Sequence, residues 1–301
     1  MERIPHSTSA HSHSASGGLI RLQARLGDPI TWLGPTWAVL CGVVASDSFD
    51  WQPQDWLRLA VLTLMVDGGW GTLWAVLGST KWAAPLRRWR NWRFGEPAPT
   101  PPYTLSGSYG DRASHWLGQL WTWWRDILWP TCGPAISAAL VALPVTVVLG
   151  ILLGPDVLLL SITALALMQL GIAWQGGQGA VAPKWDAVIT VALPWLAGHT
   201  AFGSLTLPSS VLALTFALAW GAAWSVHTPW ERTLEIGGQL LATAILVSLH
   251  HSLEAAVLLL LLVPQMLLLP WIQRGQPASW YVRHTRPWLM AAMLIAAWAL
   301  S

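Results

Sequence analysis

Long apolar runs, separated by short polar segments, form the main pattern along the chain. A helix that crosses a bilayer about 30 Å thick needs about 20 residues of this kind. Read with a window of that size, the sequence places about nine spans. They lie near 32–46, 57–78, 133–153, 156–174, 186–202, 207–226, 234–250, 253–272 and 287–300. The pattern predicts an all-α, polytopic membrane helical bundle, with helical hairpins at 154–156 and 250–252.

The composition agrees with a chain whose main solvent is lipid. Of its 301 residues, 54% are hydrophobic and 10% are charged, far from the composition of a soluble domain. We therefore expect the lipid bilayer to be the main partner and expect no binding of nucleic acid.

The basic residues indicate an orientation, because Lys and Arg near span ends stay on the cytoplasmic side. With the N-terminus inside, Arg58 is the one exception among 16 basic residues. The first outer loop carries Asp47, Asp50 and Asp55 instead. The pattern predicts an N-inside, C-outside topology in a bacterial inner (cytoplasmic) membrane.

Two segments lie outside the spans. Residues 1–27 are rich in Ser and His, and we expect a disordered or juxtamembrane tail before a membrane domain at 28–301; metal binding by the tail histidines is the alternative. The cytoplasmic loop at 79–132 contains a Pro-rich turn and then Trp116, Leu120 and other apolar residues at helical spacing. This spacing predicts an amphipathic helix in the membrane interface, or a ligand-binding lid.

Tryptophan is unusually frequent, with 24 residues, and aromatic belts at the membrane surface account for part of them. Trp70, Trp74, Trp195 and Trp224 lie in or beside spans, where their rings offer flat walls to a planar or polyene ligand. Packing against neighbouring helices is the alternative for each.

Asp67 is an acidic residue well inside a predicted span, so it is a candidate functional group. It is followed by Gly68 and Gly69, which allow a helix or a ligand to approach the backbone closely. A ligand contact and a hydrogen bond to a neighbouring helix both remain open.

Two stretches of sequence carry a resemblance to a known family. Residues 28–44 read DPITWLGPTWAVLCGVV, and residues 192–198 read ALPWLAG, followed by FGSLT at 202–206. In this order they resemble the first span and the fifth span with its following loop in chlorophyll synthases, which belong to the UbiA-type intramembrane prenyltransferases. The resemblance implies about nine spans, with reactive loops after the second and sixth spans on the cytoplasmic side.

The acidic motifs of that family are degenerate here. The family holds a prenyl diphosphate through Mg²⁺, and its first motif has the pattern Asn-x-x-x-Asp-x-x-x-Asp. The corresponding residues, 71–81, contain no carboxylate, and the single asparagine, Asn91, is not followed by the motif. In the second motif, Glu231-Arg232-x-Leu234 resembles Asp-Arg-x-Leu. Glu231 and Glu235 are spaced to hold one cation together, although glutamates at a helix N-terminus also complement its dipole.

The resemblance without its metal motifs implies a scaffold that has lost transferase activity and has no catalytic residues or protein-bound metal. We expect it to bind (bacterio)chlorophyll, carotenoid or quinone, with Mg²⁺ present only as the chlorophyll centre, beside reaction-centre or light-harvesting subunits. Neutral imidazole is a suitable axial ligand for that Mg²⁺. The candidates are His199, His250 and His251 near outer span ends, and His115 and His227 near the inner surface.

The alternative is an active prenyltransferase with an atypical diphosphate site, in which Arg87, Arg88, Arg90 and Glu231 substitute in part for the motifs. Arginine binds phosphate but does not supply a metal cage. A transporter finds no support, because the sequence shows no inverted repeat.

Overall fold

The computed structural model describes residues 34–89, 92, 105–174, 183–226 and 228–301. Within these ranges the regular elements are all helices. They are α1 (Gly34–Val44), α2 (Pro53–Ser79), α3 (Ala83–Trp89), α4 (Tyr109–Leu153), α5 (Pro155–Trp174), α6 (183–202), α7 (Leu207–Ala223), α8 (Pro229–Ser248), α9 (Ser252–Gln273) and α10 (Ala278–Trp298). Each of the nine segments predicted as spans overlaps one of them.

Membrane character is supported most directly by the longest helices. In the described part of the chain, α2, α4, α5 and α9 are long and apolar enough to cross a membrane, whereas α1 and α7 are shorter apolar helices. The chain is therefore a helical membrane protein. The number of nine spans and the orientation stay predictions, as does the tail at 1–27, which lies outside the described residues.

Short turns join several of the helices, as the sequence pattern predicts. Gly154, with a φ of 122°, separates α4 from α5, and residues 249–251 separate α8 from α9. The Thr206 and Thr228 hydroxyls accept hydrogen bonds from the backbone N–H groups of Ser209 and Glu231, which caps α7 and α8. Both expected hairpins are confirmed, because the helices of each pair pack against each other.

Helices α1 and α6 lie between two hydrophobic cores. One core joins them to α7, α8, α9 and α10, and the other joins them to α2, α4 and α5. At their crossing, a Cβ added to Gly42 would overlap the carbonyl oxygen of Trp195, and one added to Gly198 would overlap that of Val39. The backbones therefore touch at a pair of glycines, one from each of the two family-like stretches.

The aromatic segment before the third predicted span belongs to the same helix as that span. α4 runs without interruption for 45 residues, about 68 Å at 1.5 Å per residue, which is about twice the thickness of the hydrocarbon core. We expected an amphipathic helix in the membrane interface, and in the structure this segment is the first part of one continuous helix. Its position relative to the membrane surface stays a prediction.

Two short π-helical turns lie just before prolines at which helices α4 and α6 continue. The turn Trp124–Leu128 ends two residues before Pro130 in α4, and the turn Val188–Ala192 ends two residues before Pro194 in α6. Proline lacks the N–H for an α-helical bond and its ring crowds the carbonyl four residues back. A π turn shifts the bonding by one residue, so the helix continues where the sequence alone suggests a break.

Candidate functional site

Charged and polar side chains gather at one end of the bundle, where α2 and α7 end and where α6, α8 and α10 begin. We call this set the polar end cluster. Its members are Trp74, Lys184, Asp186, Trp220, Glu231, Glu235, Tyr281 and Arg286. By the predicted topology this end is cytoplasmic, and it contains the residues that resemble the second motif of the prenyltransferases.

The charged members of the polar end cluster contact specific partners. Lys184 Nζ lies 3.0 Å from Glu231 Oε1, and the Trp74 indole N–H donates to Asp186 Oδ1 at 3.0 Å. Asp186 also interacts with the positive charge of Arg286, whose guanidinium lies 4.6 Å from the ring centroid of Trp220. Ion pairs and aromatic contacts thus tie α2, α6, α7, α8 and α10 together.

Glu235 lies deeper and has a different environment. It is 2% exposed, and its Oε1 accepts a hydrogen bond of 2.8 Å from the Tyr281 hydroxyl. Nearby, the side-chain amides of Gln239 and Gln265 donate to each other at 2.8 and 2.9 Å. The Tyr281 hydroxyl also lies 3.4 Å from the Gln265 carbonyl oxygen. These four residues form a polar contact across α8, α9 and α10.

Glu231 and Glu235 do share helix α8, as predicted, but their carboxylates contact different groups. Glu231 pairs with Lys184, and Glu235 bonds to Tyr281. Their Oε2 atoms are both buried and have no hydrogen-bond partner among the described residues. Within those residues no group of three or more His, Cys, Asp or Glu side chains is arranged to hold a metal ion.

Asp67 and Trp70 lie in a longer π-helical segment of α2, Leu64–Gly71, and both are buried. Such segments often occur at functional sites. Trp70 is 1% exposed and Trp74 is 3% exposed, and both rings pack in the core shared with α4, α5 and α6. The structure thus places the rings of Trp70 and Trp74 in contacts between neighbouring helices, which was the alternative to a wall of a ligand site.

Trp195 and His199 belong to a second buried polar contact, in α6. The Trp195 indole N–H donates to Ser209 Oγ at 2.9 Å, and its ring stacks with Phe216 at 6.0 Å. His199 is 2% exposed, with Nδ1 at 3.2 Å from Ser209 Oγ and Nε2 at 2.9 Å from the Ser204 carbonyl oxygen. Both ring nitrogens are engaged, so metal ligation would require breaking one of these bonds.

The remaining candidate ligand-binding residues lie in different parts of the chain. His250 is exposed and His251 half-buried in the turn between α8 and α9, at the opposite end from the polar end cluster. His115 is exposed on α4, 3.8 Å from Asp111. Trp224 is 38% exposed just after α7, and His227 lies outside the described residues. The structure does not bring the candidate histidines together.

Sequence reasoning missed Lys184, Asp186, Gln239, Gln265 and Tyr281. One signal was present: Gln239 and Gln265 lie inside apolar segments, where an amide needs a partner. The other partners were not apparent, because they come from helices far apart in the sequence.

Comparison with known proteins gives a partial match. The chain is 29% identical over 203 residues to the chloroplastic chlorophyll synthase of Arabidopsis thaliana. The match covers 66% of this chain and 46% of the plant protein, so the chain spans about half the length of this relative. No family model matches the chain, and no solved structure does. The similarity supports the resemblance to the prenyltransferase superfamily.

Proposed function

We propose that the protein is a non-catalytic, chlorophyll-synthase-like membrane protein that binds (bacterio)chlorophyll, or a carotenoid or quinone, as an accessory subunit of a photosynthetic reaction-centre or antenna complex. The proposal takes the ligand class from the similarity to chlorophyll synthase. It takes the loss of catalysis from the residues where diphosphate chemistry would occur.

The observation that carries the proposal is the chemistry of the polar end cluster. A prenyl diphosphate requires divalent metal ions held by several carboxylates before its allylic bond ionises. Residues 71–81 at the end of α2 contain no carboxylate. The carboxylate that matches the second motif, Glu231, pairs with Lys184. The side chains here join helices to one another, which suits a scaffold better than a diphosphate site.

His250 and His251 are the candidate histidines best placed to ligate a chlorophyll Mg²⁺. Neither side chain belongs to the buried polar contacts of the described residues, and both lie in the turn between α8 and α9, where His250 is exposed and His251 is half-buried. His199 would first have to give up a hydrogen bond, and His115 lies beside Asp111.

The decisive experiment is an absorption spectrum with pigment extraction, on protein purified in mild detergent from its native membrane, with its co-purifying subunits identified. We expect stoichiometric pigment together with reaction-centre or antenna chains. The His250→Gly and His251→Ala variants should shift or abolish the pigment band. Glycine is chosen at His250 because its φ of 67° strains alanine. His284→Ala, an exposed histidine at the other end of the bundle, should leave the band unchanged.

The same preparation tests the alternative function. An active prenyltransferase would transfer a prenyl group from its diphosphate to chlorophyllide in a Mg²⁺-dependent reaction. Colourless protein with that activity would overturn the proposal and would mean that catalysis proceeds without the two acidic motifs.

A further inference from the structure

A half-open pocket of about 380 Å³ lies at the end of the bundle opposite the polar end cluster, where α1 ends, α2 begins and α10 ends. Its apolar floor includes Leu40, Val43 and Leu59. We call it the rim pocket. Its lining includes neither His250 nor His251, the histidines proposed above as pigment ligands, so binding there does not depend on the proposed function.

Aromatic rings form the mouth of the rim pocket. Phe49 lies 5.4 Å from Trp51 and 5.3 Å from Trp56, with its ring nearly perpendicular to both. The Trp51 and Trp56 rings lie 5.7 Å apart, and Trp298 of α10 adds a fourth ring. All four aromatic residues line the pocket, and the face of an aromatic ring attracts cations.

A carboxylate adds negative charge to these rings. Asp47 lines the rim pocket and is exposed. Of the neighbouring charges, Asp55 accepts hydrogen bonds from the backbone of Asp50 and Gln52. Arg58 donates to the Leu153 carbonyl oxygen and stacks over Phe202, outside the pocket lining. The balance of charge at the mouth therefore favours a cation.

The backbone at the mouth is strained. Asp47 and Trp51 have φ values of 52° and 59°, a left-handed region that glycine, asparagine and aspartate tolerate and that other residues rarely adopt. A bulky residue such as tryptophan is especially unfavourable there, and such strain tends to persist at ligand sites. An aromatic belt at a membrane surface requires neither this strain nor a carboxylate. The geometry points to a built binding site.

We propose that the rim pocket binds the quaternary ammonium headgroup of a choline phospholipid. The trimethylammonium group would lie among the four aromatic rings beside Asp47, as in other aromatic sites for quaternary ammonium ions. The lipid chain would lie along the apolar floor. A primary ammonium is more strongly hydrated than a trimethylammonium group and loses more on leaving water for the aromatic rings. An anionic headgroup is repelled by Asp47, so both should bind more weakly.

The test places the full-length protein in nanodiscs with equal amounts of phosphatidylcholine, phosphatidylethanolamine and phosphatidylglycerol of identical chains. Native mass spectrometry then counts the lipids that stay bound after detergent release. We expect preferential retention of phosphatidylcholine. Asp47→Asn and Trp298→Ala should reduce it on the order of three- to thirtyfold, the range of one cation–π or charge contact.

The matched controls are Asp50→Asn, in the same loop but outside the pocket lining, and Trp174→Ala, an exposed tryptophan in another helix. Both should retain phosphatidylcholine as the unmodified protein does. Asparagine suits position 47 because it tolerates a positive φ. Equal retention of all three lipids, or equal losses for Asp47→Asn and Asp50→Asn, would overturn the proposal.

Discussion

Several buried polar residues of the described chain are paired across helices, and Gln239 with Gln265 is the plainest case. Each amide donates to the other, which satisfies both groups in an apolar surrounding. Glu235 and Tyr281 lie next to this pair and extend the contact to α10. Sequence alone marks both glutamines as unusual, but it does not say that each is the other's partner.

A double-mutant cycle should show this pairing as a coupling energy. Gln239→Leu or Gln265→Leu alone removes the partner of the other buried amide across the helix contact and should lower the free energy of unfolding by about 1–3 kcal/mol. The double variant should lose less than the sum of the two, with a coupling of about 0.6–1.7 kcal/mol. Unfolding in detergent by denaturant measures it. Strict additivity would mean that the two amides do not interact.

A second residue-scale prediction concerns the glycines where α1 crosses α6. Gly42→Ala should destabilise the protein by about 1–3 kcal/mol, because its methyl group has no room beside Trp195 and the helices must separate. Gly237→Ala in α8 is the control, since nothing lies near the position of its Cβ. It should be neutral or slightly stabilising. Equal thermal stability of the two variants would contradict the crossing.

At the scale of elements, the sequence predicts which segments are helical better than it predicts where one helix ends and the next begins. Runs of about 20 apolar residues need helices, so all nine segments predicted as spans overlap helices of the described chain. The π-helical turns were not predicted, because they depend on how helices pack and, in α4 and α6, on the proline that follows. The continuity of the aromatic segment before Pro130 with the following apolar segment was likewise not predicted.

The contact between α2 and α4 can be tested through its closest pair. A Cβ added to Gly69, in the π-helical segment of α2, would overlap the Thr146 hydroxyl. Gly69→Ala should therefore lower the melting temperature, and adding Thr146→Ala should restore most of the loss because the hydroxyl is removed. Thr146→Ala alone is the control, since that hydroxyl bonds to the Ala142 carbonyl within its own helix. Failure of the double variant to recover would show that the two helices do not meet there.

For the whole molecule, packing explains why the family-like stretches stand out. The one in α1 and the one in α6 are about 150 residues apart in the sequence, yet they meet at the Gly42 and Gly198 crossing. The candidate site was harder to predict. Lys184 and Glu231 lie on helices joined through α7, and no local pattern brings them together. Such pairs depend on how several helices cross one another, and the sequence alone does not predict these crossings.

Orientation in the membrane is the remaining prediction at this scale. With the N-terminus inside, a cysteine at Ser301 should react with a membrane-impermeant maleimide in intact cells. A cysteine at Ser79 should react only after permeabilisation. The native Cys41 and Cys132 are buried and give little background. The reverse labelling pattern would invert the topology drawn from the basic residues.

The glycine crossing has a consequence for how the gene can vary. Every missense change at a glycine codon introduces a side chain with at least one carbon, so at positions 42 and 198 each such change inserts an atom between α1 and α6. A library randomised at these codons and selected for folded protein should return glycine at both. The codon for Gly237 should tolerate many replacements. Because the two backbones touch, we expect no missense change at either of these two codons to preserve the packing of α1 against α6.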